Sequence, residues 1–372
     1  MKGIFFSEGL EMNSDITSLG IEKKVAAQVS SLAHIGDINH INIELKTDDI
    51  SDKIRFVLPM IGSTRERNRE ILLDSVDESI DYIYIRKPSL TIKFYELLKK
   101  IKHINKHIVI LMEIPTYPFH LEYQGISKLM ILKSIACEKK LKEVIDYIIT
   151  YSDDESIWGI PCLRTSNCVD YASLPARTEN FHILKNTLRM TCVANYTYWH
   201  GIDRLIKGIN NYNGPYKIVF NVVGVGKELD NLKKLANGNS GIIFHGSKSG
   251  KELASIFDNT DIAVDALGRH RSGVYYNSSL KGKEYVARGI PVISAVKTEL
   301  DYMKDFEYYL KLPSDDTDID INTVIDFYNK IYSSNNGINV TKEIRSITEK
   351  KFDYKYGFEN PIKELVIQNR SK

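Results

Sequence analysis

Short apolar runs alternate along the chain with longer stretches in which apolar side chains recur every three or four positions. In the first half, the run Ile4 to Phe6 precedes a polar loop and a helical pattern from about Ile21 to Ala33, with Val25, Val29, Leu32 and Ala33 as its buried stripe. Ile41 to Leu45, Ile54 to Leu58, Tyr82 to Ile85, Ile108 to Met112 and Ile145 to Thr150 read as strands. Arg65 to Asp77, Ile92 to Ile104 and Leu129 to Ile145 read as helices. Strands alternating with helices of this length indicate parallel βαβ units, whose ligands meet the carboxyl ends of the strands. Glu113 stands at such an end, directly after the apolar run to Met112.

A linker from 172 to 187, carrying Pro175 and scattered polar residues, is followed by a second series. Strands are expected at Arg189 to Ala194, Lys217 to Val223, Ile242 to His245, Ile262 to Ala266 and Pro291 to Ala295. Helices are expected from Asp203 to Asn210, after Gly-Val-Gly-Lys-Glu through Leu235, and from Lys251 to Phe257. A further short helix starts at Ser278 or Ser279 and stops at Gly289, with Pro291 after it. The pattern gives two Rossmann-like halves, 1–172 and 173–349. Ser314 to Asp320 reads as an acidic surface loop, and helix is expected again after about Val340.

A chain of 372 residues suits two domains rather than one core. The apolar fraction of 43% and the absence of any run near 18 apolar residues indicate a soluble globular protein. A net charge of +2 gives no support to a nucleic-acid binder, so none is expected as a partner. Cys137, Cys162, Cys168 and Cys192 match neither a zinc site nor a redox pair, which fits free thiols in a cytoplasmic protein. Two lysine clusters, Lys99, Lys100, Lys102 and Lys106, then Lys133, Lys139, Lys140 and Lys142, fit either a solvated face or contact with an anionic membrane surface.

The densest chemistry lies between Leu267 and Ala295. A strand delivers the chain to a loop with Arg269, His270, Arg271 and Gly273, which enters a helix carrying Lys281 and Glu284. A cationic loop at a helix N-terminus suits a dianion, and Glu284, one turn past Lys281, is placed to accept hydroxyl hydrogen bonds from a ribose. No Asp-x-Asp stands in a metal-binding context, so no metal and no cofactor beyond the substrate are expected.

Several segments, in order, resemble the retaining glycosyltransferases of family 4. Trp199-His200-Gly201-Ile202-Asp203-Arg204-Leu205-Ile206 is similar to that family's Lys-Gly-x-Asp-x-Leu-Ile. Val222-Val223-Gly224-Val225-Gly226 is similar to its Val-Gly-x-Gly turn, and Phe244-His245-Gly246 with Glu252-Leu253 to its Phe-x-Gly…Glu-Leu step. Lys283-Glu284-Tyr285-Val286-Ala287-Arg288-Gly289-Ile290-Pro291-Val292 resembles Leu-Glu-Ala-Met-Ala-x-Gly-x-Pro-Val. Ser18-Leu19-Gly20-Ile21-Glu22-Lys23 and Asn167-Cys168-Val169-Asp170 resemble the Gly-Gly-Ile-Glu-Lys loop and the Asn-Gly-Val-Asp that closes the first domain. The wider pattern is most similar to enzymes of bacterial capsule and exopolysaccharide assembly.

The resemblance implies a GT-B fold, two Rossmann-like domains facing across a cleft, with 350–372 crossing back to the first. It implies sugar transfer, with retention, from a nucleoside-diphosphate sugar such as a UDP-sugar to a glycan or lipid-linked saccharide; the lysine clusters, on their membrane reading, add peripheral contact of a cytoplasmic protein with the inner face of the cell membrane. Glu284 matches the glutamate expected on the donor ribose; the partner glutamate would fall near Tyr276 and is absent. The family's diphosphate-binding Arg and Lys fall near Asn195 and His200, so Arg204, Arg271 and Lys281 are expected to replace them. Glu113 occupies the place of the active-site histidine. The implied catalytic set is therefore Glu113, Arg271 and Lys281, with Glu284, Arg204, His200, His270, Gly20 and Gly246 on the donor. A nucleotide-sugar epimerase, or a subunit of this kind without activity, remains an alternative reading of the same residues.

Overall fold

The computed structural model describes residues 1–10, 20–43, 64–119, 134–178, 183–332 and 337–370. Its contacts divide the chain into two compact units, Met1–Ser166 with Tyr354–Lys372, and Asn167–Asp353.

In the first unit the strands β1 (Lys2–Glu8), β2 (Asp37–Ile43), β3 (Tyr82–Arg86), β4 (Val109–Ile114), β5 (Tyr147–Thr150), β6 (Ser156–Ile157) and β7 (Ile160–Arg164) form one sheet. Their order is β2-β1-β3-β4-β5-β7-β6, parallel except for the β6–β7 hairpin. β4 is buried along its whole length, as is β3 up to Arg86. Coverage on both faces is why these strands appear as unbroken apolar runs rather than as alternating ones. The helix Ile92–Ile104 lays Phe94, Leu97, Leu98 and Ile101 on the sheet, and Thr91 caps it by accepting from the Phe94 N–H at 3.2 Å.

The end of the chain belongs to this unit. The Thr165 hydroxyl donates to the Gly357 carbonyl at 2.6 Å, Arg370 pairs with Asp81 at 2.8 Å, and the Phe358 ring packs edge-on against Tyr84. The division between units falls before 172. Val169 bridges to Asp353, and the Tyr171 hydroxyl reaches Thr348, so the segment from Asn167 onward packs within the second unit.

The second unit is an all-parallel sheet of β8 (Thr187–Asn195), β9 (Lys217–Val225), β10 (Ile242–Gly246), β11 (Ile262–Val264), β12 (Val292–Ser294) and β13 (Tyr309–Lys311), in the order β10-β9-β8-β11-β12-β13. The chain winds outward from β8 in one direction and then returns to place β11 on its other side. That reversal is the dinucleotide-fold switch point, and ligands sit outside the carboxyl ends of the two strands that flank it. At the opposite ends of β8 and β11, Arg189 grips the buried Asp261 through its main-chain N–H and guanidinium at 2.7 to 3.1 Å.

The elements depart from expectation where a charge or a turn interrupts a periodic run. The helix expected over Arg65 to Asp77 is two pieces, Thr64–Asn68 and Glu70–Asp74. Arg69 between them is 1% exposed and turns inward to Glu8, Thr91 and the Ser89 carbonyl. The helix expected from Leu129 to Ile145 is helical at 134–138 and then tightens into a 3₁₀ turn, Leu141–Glu143, so that Val144 and Ile145 enter the core ahead of β5. Expected strand 54–58 lies outside the described residues, as does Lys133. The helix Ile321–Tyr332, with Ile321, Val324, Ile325, Tyr328 and Ile331 buried on one face, is an addition to the expected elements, although its sequence carries the helical period.

Candidate functional site

Two loops meet at the β8–β11 switch point. After β8 the chain makes a 3₁₀ turn, Tyr198–His200, and the helix Ile202–Asn211 begins. After β11 it makes a second 3₁₀ turn, Arg269–Ser272, before the helix Leu280–Ala287. Gly201, at φ +64°, lets them touch: a Cβ there would stand 2.5 Å from the Gly268 nitrogen. The Leu267 N–H also donates to the His200 carbonyl at 2.8 Å. The Trp-His-Gly segment is thereby clamped against the cationic loop.

The helix Leu280–Ala287 supplies the centre of the site. The Ser279 hydroxyl caps it by accepting from the Gly282 N–H at 2.9 Å, and the Lys283 N–H reaches the Ser279 carbonyl at 3.3 Å. The N–H groups of Leu280 and Lys281 meet no acceptor among the described residues, as first-turn donors do when a ligand or water completes them. The Lys281 ammonium is buried and makes no hydrogen bond; its nearest carboxylate oxygen, on Asp265, is 3.5 Å away. His270 Nδ1 is likewise buried without a partner, while its Nε2 faces Asp316 at 3.2 Å. A desolvated ammonium that no protein group satisfies by a hydrogen bond is costly, so Lys281 on the first turn with the open N–H groups marks a place built for an acceptor from outside.

Arg271 is held more firmly. Its guanidinium forks onto Asp203 at 2.8 and 2.9 Å, donates to the Tyr198 carbonyl at 2.9 Å and pairs with Asp316 at 2.6 Å. The hydrogen bonds it donates to Asp203 push its pKa above the ordinary arginine value. Glu284, half-buried on the next turn, accepts from Arg288 at 3.0 and 3.2 Å through one oxygen.

His200 is not a cation. Burial, together with the nearby Lys281 and Arg269 charges, lowers its pKa to about 3. Its Nδ1 accepts from the Thr197 N–H at 3.1 Å, which leaves the proton on Nε2. A folded pKa below the ordinary 6.5 means that the unfolded chain takes up this proton first. Stability from this group is complete above pH 6.5 and falls as the pH drops toward 3, by up to ~1.4 kcal/mol per pH unit. His200→Gln is expected to flatten that part of the stability profile, read from urea midpoints at stepped pH. An unchanged slope would show that the imidazole is not buried in its neutral form.

Four expected residues stand apart from this cluster, and Arg204 is the clearest correction. It is fully buried and donates to the carbonyls of Leu267, Pro313 (3.1 Å) and Thr317 (2.7 Å), with Asp315 at 3.3 Å. With no exposed surface, it ties the second unit's loops together rather than meeting a diphosphate. Gly246 ends β10, two strands from β8 and so about 10 Å away by strand spacing, with open space where a Cβ would stand. Gly20 opens the helix Gly20–Ala33 in the first unit.

Glu113, also in the first unit, is fully buried at the end of β4. Its carboxylate accepts from Lys24 and Arg86 at 2.9 Å each, Gln28 at 2.8 Å and the Tyr84 hydroxyl at 2.7 Å. Burial alone would raise its pKa, but Lys24 and then Arg86 outweigh that and hold it at about 2. It is a saturated anchor without a face for a sugar, which corrects its expected role on the substrate.

Sequence reasoning missed Asp265, Asp203 and Asp316, the carboxylates that position the cations. Asp265 was signalled as the first polar residue after the buried strand β11. Among the described residues no three His, Cys, Asp or Glu side chains converge as a metal site, and no helix is long and apolar enough to cross a membrane.

No family model matches the chain, and no curated protein is similar to it in sequence. Solved structures are similar over its full length. Sucrose-phosphate synthase from Thermosynechococcus elongatus aligns with a TM-score of 0.64 at 13% identity, covering 99% of both chains. The catalytic domain of starch synthase IV from Arabidopsis thaliana, bound to ADP and acarbose, gives 0.62 at 11% identity, over 100% of this chain and 99% of that one. HepE from Anabaena, in complex with UDP-glucose, gives 0.61 at 10% identity, over 99% of each. The two parallel-sheet units and these neighbours define a GT-B fold of two Rossmann-like domains.

Proposed function

We propose that the protein is a glycosyltransferase using a nucleoside-diphosphate sugar, with a UDP-sugar as the favoured donor. The observation that carries this reading is the buried Lys281 ammonium without a hydrogen bond, at a helix start with two open N–H groups and on the switch point of a dinucleotide fold. Similar folds carrying UDP-glucose and ADP support a nucleotide as the ligand. In this reading Lys281, the His200 Nε2–H and the first-turn N–H groups receive the diphosphate, Arg271 shapes the loop, and the second oxygen of Glu284 takes a ribose hydroxyl.

The bond from the sugar's anomeric carbon to the phosphate oxygen breaks, and the diphosphate leaves with the electron pair. An acceptor hydroxyl oxygen bonds to that carbon on the same face, and its proton passes to the departing phosphate. Donors fixed where negative charge grows lower the barrier without reorganising. The first unit takes the acceptor, a glycan or lipid-linked saccharide. Its exposed Lys99, Lys100, Lys106, Lys139, Lys140 and Lys142 favour an anionic surface such as the cytoplasmic face of a bacterial membrane.

A thermal-shift panel of UDP, GDP, ADP and CMP, with and without EDTA, tests the reading. One nucleotide at 100 times its Kd is expected to stabilise the wild type by about 2.7 kcal/mol, with EDTA making no difference. Glu284→Ala is expected to weaken that shift. No shift with any nucleotide would count against sugar transfer and favour a subunit without activity. Conversion of the donor sugar without an acceptor would favour an epimerase.

A further inference from the structure

The first unit has a switch point of its own. β1 leads to β2 on one side of the sheet, and β3 stands on the other side of β1 and leads on to β4 and β5. The same rule that places a ligand at the carboxyl ends of β8 and β11 places one at the ends of β1 and β3. Arg86 is the last residue of β3, and the helix after β1 brings Lys24 and Gln28, one turn apart, to the same carboxylate of Glu113.

Two members of this cluster have hydrogen-bonding capacity that it does not use. Lys24 and Arg86 both lie 2.9 Å from the same oxygen of Glu113, while Gln28 and the Tyr84 hydroxyl, its other partners, are neutral. Arg86 spends a single N–H on Glu113, and its remaining donors meet no described residue. Its side chain is 14% exposed, enough for a ligand to reach. Gln28 is 1% exposed, and its Oε1 has no donor facing it. The cluster therefore lacks an oxyanion for the guanidinium and a hydroxyl for the amide oxygen. A phosphorylated sugar carries both.

We propose that the first unit binds a phosphate-bearing ligand at the β1–β3 switch point, with Arg86 on the phosphate oxygens and Gln28 Oε1 accepting from a neighbouring hydroxyl. On the glycosyltransferase reading this ligand is the acceptor, and that word alone rests on the reading; the binding of phosphate does not. A guanidinium's fork matches two phosphate oxygens at once, which an ammonium in the same place does not. The phosphate belongs either to a soluble sugar phosphate or to the headgroup of a lipid-linked saccharide.

The test is calorimetric titration of wild type, Arg86→Gln and Arg86→Lys. Each protein is first saturated with UDP, so that the second unit's anion site is filled. The probes are inorganic phosphate, a hexose 6-phosphate, and a polyprenyl phosphate in detergent micelles against a micelle blank. At least one probe is expected to bind the wild type, about tenfold or more weakly to Arg86→Gln, and in between to Arg86→Lys. Preference for the hexose phosphate or for the micelle identifies the source. Equal binding by wild type and a folded Arg86→Gln protein overturns the proposal, as does failure of all three probes on the wild type. UDP binding reports separately: its absence in all three proteins rules out UDP as the donor nucleotide, and absence of binding by GDP, ADP and CMP as well sinks the nucleotide-sugar reading, while the comparison at Arg86, repeated without nucleotide, still decides this one.

Discussion

Lys281→Met is expected to reduce sugar transfer by about 10²- to 10³-fold, while the unliganded protein stays within about 1 kcal/mol of wild type. The two halves of this result come from one fact. The ammonium is buried and makes no hydrogen bond, so its loss removes little that holds the fold, and relief of its desolvation offsets the lost attraction to Asp265 at 3.5 Å. Asp265 keeps its hydrogen bonds from the Ser279 hydroxyl, at 2.8 and 2.9 Å. In the bound state the same ammonium would face a diphosphate, and its attraction grows as the leaving group gains charge. Urea denaturation gives the first quantity; turnover and the nucleotide-induced thermal shift give the second. A variant that loses several kcal/mol and still turns over would make Lys281 the structural counter-ion of Asp265, and the site would have to be sought elsewhere.

Glu113→Gln has the opposite signature, a loss of about 3–5 kcal/mol in stability. Removing the carboxylate leaves Lys24, with a side chain 7% exposed, and Arg86 close together without the charge that both share. An amide also presents a donor where Gln28 and Tyr84 already donate. The wild-type carboxyl adds a pH dependence of known sign. Its folded pKa of about 2 lies below the ordinary 4.5, so its stabilisation is complete above pH 4.5 and is lost as the pH falls toward 2. The glutamine variant should therefore be less stable at neutral pH and less sensitive over that acid window. A loss below about 1 kcal/mol at neutral pH would mean that the carboxylate is exchangeable and available to substrate after all.

The two-unit α/β architecture is legible in the sequence because β3, β4, β8 and β11 are covered on both faces and appear as apolar runs between amphipathic helices. The cationic loop and the start of its helix are legible for a local reason: Ser279, Lys281 and Gly289 act within a few residues of themselves. What the sequence hides is pairing over distance. Arg204 and Arg271 are equally plausible cations as letters. Only the fold shows that Arg204 is spent on carbonyls far along the chain at Pro313 and Thr317, while Arg271 meets Asp203 from the turn after another strand. Glu113 fails as a substrate group for the same reason, since its partners come from the helix after β1 and from the end of β3. Arg69, which breaks an otherwise periodic helix to reach Glu8, is a further case of a distant partner overriding local propensity.

The last helix, Asn360–Arg370, completes the unit that the chain began with. During synthesis the strands of the first unit's sheet are all made before the second unit begins, yet the segment that completes its packing, 354–372, leaves the ribosome only after the second unit has been made. The side of Tyr84 that Phe358 covers is therefore the last part of the first unit to be closed, after the whole second unit has been made.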